Sequence, residues 1–385
     1  IMQVKQVYEI MNSVTRTTLG ENAVLAEDLS NIVDIGDQIL NVAGVENYVR
    51  TLTDHIGKTI FVNRAYSGSV PSVLMDGWEF GSILEKVSYD DLPEATENES
   101  WELEDGKSYD VNVFTQPKAS AKFFNKRVTF EVPMSFAERQ VKSAFDNASQ
   151  LNAFFSMIHN AIDKSMTVKV DGLVSRTINN MIGETFVDLA KNPTSIKAVN
   201  LLKLYNQNFG KTLKAYHCML EPEFIRFTSL YIKLYSDRMT KLSKLFNVGG
   251  KDRFTSKDLQ HLVLLSEFEA HAGAYLYSDT FHNEFTKLPN AETVAYWQGS
   301  GTSYDFASTS KIHIQTSSGQ EIEQTGILGI IFDRDALGVT NLDRRVTTNY
   351  NAKGEFFNNW YKFDAGYFND LNENFVVFYV ADVAK

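Results

Sequence analysis

Apolar positions recur along the chain with two different periods, and the alternation between those periods divides the sequence into segments. Val4, Val7, Tyr8 and Met11 share one helical face and give way to a polar stretch reaching about Ser30, which reads as an arm. From Val33 to Val49 small and apolar residues dominate. Val45, Tyr48, Val49 and Leu52 keep a helical phase ahead of an extended segment at Thr59 to Val62, and a first core-forming lobe starts here. Val70 to Leu74 and Ser82 to Val87 have the pattern of extended chain. Asp90 to Asp110 is strongly acidic, relieved only by Lys107, and such a tract cannot enter a core. Beyond it, Val111 to Phe114 and Val128 to Val132 are strand-like, separated by the basic residues Lys118, Lys122, Lys126 and Arg127. The simplest geometry is a long two-stranded excursion with one acidic and one basic limb. An isolated pair of strands is marginal in water, so the excursion is expected to lie on a neighbouring molecule.

The clearest helical signal follows. Ala144, Ala148, Leu151, Phe154, Phe155, Ile158, Ala161 and Ile162 recur three and four residues apart and form one apolar stripe. The pattern continues more weakly through Leu173, Val174, Ile178, Met181 and Ile182 to Gly183, which is expected to stop the helix. Pro193, Thr194 and Ser195 then open a second helix with the face Ile196, Val199, Leu202 and Tyr205. Further on, helices alternate with short strands. Leu213 to Met219, Leu262 to Leu265 and Ala274 to Tyr277 read as strands, and Pro222 suits a first helical position. Ile327 to Phe332 is an apolar run. Arg345 to Tyr350 and Glu355 to Phe363 flank a turn at Asn351 to Gly354 as a hairpin, and Asn374 to Val380 is a continuous apolar strand expected to pair back with the first lobe.

Composition narrows what such a chain does. Its 385 residues allow two or three lobes, and 43% hydrophobic with 22% charged residues is the make-up of a folded protein. Aromatic residues reach 12% and are spread through both halves, which suits large apolar contacts between packed elements or subunits. A net charge of -11 repels a phosphate backbone and argues against sequence-specific nucleic-acid binding. There is no apolar run long enough for a membrane span and no signal-peptide core at the start, so synthesis in the cytosol is expected. The lone Cys218 allows neither an intrachain disulfide nor a cysteine zinc site.

Candidate chemistry resolves into ordinary structure. Gly57-Lys58-Thr59 and Gly210-Lys211-Thr212 lack the glycine of a phosphate loop, which is replaced by Leu52 and Tyr205. Asp333 and Asp335 follow a strand without further ligands, and His271 and His282 lack the spacing of a zinc protease. Glu321 with Glu323, and Glu102 with Glu104, are two apart and fall on one solvated face of a strand. The cluster Phe356, Phe357, Trp360, Tyr361 and Phe363 is assigned to core or intersubunit packing. No catalytic residue, metal or cofactor is expected.

The order of these parts, together with Leu151 to Ile162, the run from Phe332 to Val339, the hairpin Arg345 to Tyr361 and the close at Asn374 to Tyr379, resembles the HK-97-type fold of tailed-phage major capsid proteins, the phi-29-like ones in particular. The resemblance implies an α+β, HK-97-like capsid fold. It would comprise an N-terminal arm (residues 1–32), a part of the peripheral (P) domain (33–65) and an extended β-hairpin loop, the E-loop (66–136). A long spine helix with P-domain residues (137–194), an axial (A) domain (195–335) and returning P-domain strands (336–385) would follow. It also implies self-assembly as pentamers and hexamers into an icosahedral or prolate head shell, enclosing double-stranded DNA without sequence-specific binding and with no membrane. A portal and decoration proteins are further implied partners, and with no scaffolding segment ahead of Ile1 a separate scaffolding protein is expected. No Lys to Asn crosslink between subunits is expected, since no motif selects a lysine for it. The charged excursion supplies the candidate intersubunit contacts Asp90, Asp91, Glu94, Glu97, Glu102, Glu104, Lys118, Lys122, Lys126 and Arg127. Two alternatives stand beside this reading: an encapsulin-type nanocompartment shell on the same fold, and a carboxylate-dependent hydrolase.

Overall fold

The computed structural model describes residues 70–75, 84–89, 95, 97–98, 102–109, 112, 119–137, 148–276, 291–297 and 310–382. The arm, the 33–65 segment and the Gly57-Lys58-Thr59 triplet lie outside the described residues.

Thirteen strands and four helices are described. In chain order the strands are β1 (Leu74–Met75), β2 (Leu84–Tyr89), β3 (Ala119–Phe124), β4 (Arg127–Ala137), β5 (Ala198–Asn200), β6 (Gln260–Leu265) and β7 (Ala291–Val294). They continue with β8 (Lys311–Gln315), β9 (Glu321–Thr325), β10 (Ile327–Asp333), β11 (Leu337–Asn351), β12 (Phe356–Asn369) and β13 (Phe375–Tyr379). The helices are α1 (Ala148–Lys191), α2 (Leu201–Phe209), α3 (Pro222–Met239) and α4 (Ser266–Leu276).

Two sheets carry the core. The first has the order β1-β11-β12-β4 and the second β5-β13-β10-β6-β7. In β12 alternate residues point inward, so that Phe357, Tyr361 and Phe363 are buried while Phe356 and Trp360 are only half-buried. This is the period-two pattern of a strand with one covered face. Strand β10 is buried at every position because it is central in the second sheet, which explains its unbroken apolar run. The aromatic cluster of β12 is thus a core element. Burying one such side chain contributes about 2–3 kcal/mol.

Helix α1, about 66 Å long at 1.5 Å per residue, crosses both sheets. Arg176 lies over the Tyr367 ring of β12 at 5.9 Å, Asn369 donates to the Thr177 carbonyl at 2.8 Å, and Phe186 meets Tyr379 of β13 edge-on at 5.0 Å. The helix does not stop at Gly183. There the missing side chain admits the β8–β9 hairpin, since a β-carbon at 183 would come within 2.7 Å of Thr316 Cγ2. The hairpin turn is then clamped by α1: Ser317 N donates to Asn180 Oδ1 at 2.9 Å, and Ser318 N donates to the buried Glu184 carboxylate at 2.8 Å.

Other local expectations also change. The segment opened by Pro193 continues into β5, and helix α2 begins only after Asn200, whose side chain accepts from Lys203 N as an N-cap. Ala215–Leu220 is a 3-10 helix and not a strand, with Cys218 buried beneath it. Ala274 to Leu276 ends α4, where the apolar pattern belongs to a helix packed on its sheet. Most consequential, β13 pairs with β10 and β5 and so joins the mixed second sheet, while β11 and β12 pair with β1 and β4. Beyond β10 the chain therefore crosses between the sheets twice, at Arg334–Ala336 and at Asp370–Asn374, and Asp370 N donates to the Ala336 carbonyl at 2.7 Å to hold these two crossings together.

Candidate assembly surface

The excursion inferred from the sequence is a hairpin whose paired limbs are β2 and β3, with Leu84 opposite Phe124 and Tyr89 opposite Ala119. The acidic tract lies between the limbs and forms neither. Of Val111 to Phe114 only Asn112 is among the described residues, and it is not in a strand; β3 begins later than the sequence pattern suggested. Strand β4 leaves the hairpin altogether and pairs with β12.

Alternation gives the hairpin two unlike faces. The inner face carries Lys86, Lys122 and Phe124. Phe124 packs on Phe368 with ring centroids 5.2 Å apart, and both lysines reach Asp370, Lys86 Nζ to Oδ2 and Lys122 Nζ to Oδ1, each at 2.9 Å. Lys86 also donates to the Asp335 carbonyl at 2.9 Å and to Glu373 at 3.1 Å, so it touches both crossings between the sheets. Glu373 in turn pairs with Arg253 at 3.4 Å. The opposite face carries Glu85, Val87, Ala121 and Phe123 outward, with Val87 68% and Phe123 62% exposed.

Burial sets the electrostatics of this hub. It opposes ionisation of Asp370, yet the two ammoniums outweigh it and hold the carboxyl below the ordinary range. For Lys86 burial likewise opposes the charge, and the Asp370 and Glu373 carboxylates overcome it and raise its pKa. At Glu373 burial prevails, and the carboxyl is raised.

Of the sequence-derived contact candidates, Asp90, Asp91, Glu94 and Lys118 lie outside the described residues. Glu97, Glu102 and Glu104 are exposed, and Glu102 and Glu104 lie in an irregular turn and not on a strand. That turn closes on itself, Lys107 N donating to the Glu104 carbonyl at 3.3 Å and Tyr109 Oη accepting from Glu104 N at 3.2 Å. Lys126 and Arg127 are exposed at the start of β4. Lys122 faces the body of its own chain. Sequence reasoning missed Lys86, Asp370, Glu373 and Arg253; the alternation in Leu84-Glu85-Lys86-Val87 was a usable signal for the hairpin, but nothing local links Lys86 to a carboxylate 284 residues away.

Several of the residues weighed for chemistry make structural contacts among the described residues. Asp333 accepts from Thr255 Oγ1 at 2.6 Å and from Asp335 N at 2.9 Å, which makes the pair a turn. Lys211 follows the left-handed C-cap Gly210 (φ 61) and pairs with Glu223 at 2.5 Å. Glu321 and Glu323 are exposed on β9 opposite Gln315 and His313. Burial pushes the Cys218 thiol up to about 11. Among the described residues no group of His, Cys, Asp and Glu could hold a metal, and no helix is long and apolar enough to cross a membrane.

The same arrangement of helices and sheets occurs in the capsid structure of Staphylococcus phage Andhra, at 12% identity and a TM-score of 0.53 over 83% of this chain and 86% of that one. It occurs again in the structure of head fiber and inner core protein gp22 of native bacteriophage P68, at 8% identity and a TM-score of 0.51 over the same shares, 83% and 86%. The fold is thus a mixed helix-and-sheet fold found in phage capsids. The model of the Phi29-like phage major capsid protein family matches residues 11–379, and the chain belongs to that family. It is a shell-forming structural protein of the virion capsid, and the nanocompartment alternative gives way to this assignment. No curated protein matches the sequence.

Proposed function

We propose that the subunit builds its shell through the outward face of the β2–β3 hairpin, which lies against a neighbouring copy while the inner face stays latched to its own chain. The observation that carries this reading is the contrast between the two faces: Lys86 and Lys122 are satisfied within the chain, whereas Val87 and Phe123 are left in water. Apolar contacts repeated over many copies supply most of the shell's stability, because exposed ion pairs contribute only about 0–1 kcal/mol each. The charges of Glu97, Glu102, Glu104, Lys126 and Arg127 then act on register and choice of partner.

In the terms of the HK-97-like fold, the hairpin and its acidic connection correspond to the E-loop and α1 to the spine helix. The four-stranded sheet belongs to the peripheral domain and the five-stranded sheet to the axial domain. The 336–385 block is divided between them, because β13 is a strand of the second sheet. The subunit works without catalysis, as pentamers and hexamers, with a separate scaffolding protein and a portal, and it holds double-stranded DNA without reading its sequence. The net charge of -11 suits a wall that does not grip its contents. Electron microscopy of the expressed protein tests the reading. Closed shells from the unaltered chain and unassembled, folded subunits from Phe123→Asp are expected; shells of ordinary yield from that variant would overturn the role of the outer face.

A further inference from the structure

The pairing of β2 with β3 sets Lys86 directly opposite Lys122. Like charges opposed on one face of a ribbon work against strand pairing, and two strands alone are marginal in any case. The remaining opposed pairs, Leu84 with Phe124, Glu85 with Phe123, Val87 with Ala121, Ser88 with Ser120 and Tyr89 with Ala119, include no opposite charges to offset the repulsion. The compensation comes from the body of the protein. One carboxylate, Asp370, receives both ammoniums on its two oxygens, and its side chain is only 4% exposed. Asp370 Oδ1 also accepts from Asn372 N at 3.1 Å, a contact within its own turn that does not involve the hairpin. Glu373 gives Lys86 a second acceptor, and Phe124 gains its ring partner Phe368 from β12.

We propose that strand pairing in this hairpin is conditional on docking: away from Asp370 the two strands separate, and the ribbon does not move as a rigid arm. The outward face bearing Val87 and Phe123 then exists only on the docked chain. The hairpin is an order–disorder element whose assembled form is written partly in the turn at residues 370–373. This stands on the hairpin's own geometry and goes beyond the shell-building role.

The test is amide hydrogen exchange on the full-length dissociated subunit, comparing the unaltered chain with Asp370→Asn, Lys122→Met and the double variant. Asp370→Asn is expected to lower the protection of the β2 and β3 amides by about tenfold or more, the scale of lost charge-assisted hydrogen bonds. Lys122→Met is expected to lower protection when Asp370 is present and to raise it about two- to fivefold when Asp370 is replaced, because it then removes only the repulsion. That reversal of sign is the signature of conditional pairing. Lowered protection from Lys122→Met in both backgrounds, or hairpin amides that keep ordinary protection in Asp370→Asn, would overturn the proposal. Protection of the β10 and β13 amides reports that the body is folded. If Asp370→Asn fails that control, Lys86→Met is read in its place: it removes the contacts to Asp370, Glu373 and the Asp335 carbonyl, so a loss of hairpin protection is expected, and no loss overturns the proposal.

Discussion

Gly183 lies against Thr316, and the contact leaves no room for a side chain on the helix, since an added β-carbon would sit 2.7 Å from Thr316 Cγ2 and 3.2 Å from Ile314 Cγ2. Thr316 cannot simply turn aside, because its hydroxyl accepts from Gln320 N at 3.2 Å and holds the β8–β9 turn. Alanine gains about 1 kcal/mol of helix propensity over glycine, while forcing atoms into a packed site costs about 1–3 kcal/mol. Gly183→Ala is therefore expected to destabilise the dissociated subunit by up to about 2 kcal/mol, with a larger loss for Gly183→Val. Urea unfolding checks this, and a stabilised alanine variant would show that the hairpin gives way.

The connection between β2 and β3 gives a second prediction. Residues 90–110 are too acidic for a core, and removing them still leaves a connection from Tyr89 to Ala119 long enough for the two strands to pair. The deletion is expected to leave far-UV circular dichroism and the unfolding midpoint unchanged while assembly is lost or misdirected, as followed by light scattering. Loss of subunit folding would place the tract in the structural core.

Acid acts on the two carboxyls of the latch in opposite senses. Asp370 is held below its ordinary value of 3.8, and Glu373 is held above its ordinary value of 4.5. A carboxyl raised on folding contributes stability fully below its ordinary value and loses it as pH rises through the folded one. A depressed carboxyl contributes above its ordinary value and loses that contribution as pH falls through the folded one. Lowering the pH from neutrality therefore protonates Glu373 first while Asp370 still holds both lysines, and the hairpin is expected to stay docked until the pH falls below 3.8. Exchange rates of the β3 amides, corrected for their intrinsic pH dependence, follow this; release at a pH above 4.5 would contradict it.

Salt distinguishes the two kinds of contact around the hairpin. Exposed charges such as Glu102, Glu104, Lys126 and Arg127 are screened within about 8–10 Å at ordinary ionic strength, and buried pairs much less so. Early assembly intermediates are expected to weaken with added salt while completed shells persist. Sedimentation profiles at low and high salt would show this, and assembly indifferent to salt would remove those charges from any guiding role.

The core itself yields the largest expected effect. Phe363 is fully buried in β12 and stacks on Phe130 of β4 at 5.0 Å. Phe363→Ala is expected to cost about 3–5 kcal/mol, visible as a lowered urea midpoint, and a cost under 1 kcal/mol would place the aromatic cluster outside the core.

Periodicity alone determined much of this protein. The run of β10, the β11–β12 hairpin about Asn351 to Gly354 and the start of α3 at Pro222 follow from local pattern, because burial on one face or both leaves its period in the residues themselves. The family resemblance was likewise carried by stretches of local sequence. Tertiary structure alone decided the rest. Gly183 reads as a helix stop until a hairpin more than a hundred residues away fills the space beside it. Strand β13 chooses β10 and β5 because partners are set by the paths of two sheet crossings, which no window of residues contains. Lys122 looked like a charge for a neighbouring copy, and it is held at home by Asp370. Such long-range electrostatic partners leave no periodic trace, since one ion pair needs one residue at each end and imposes nothing on the sequence between them.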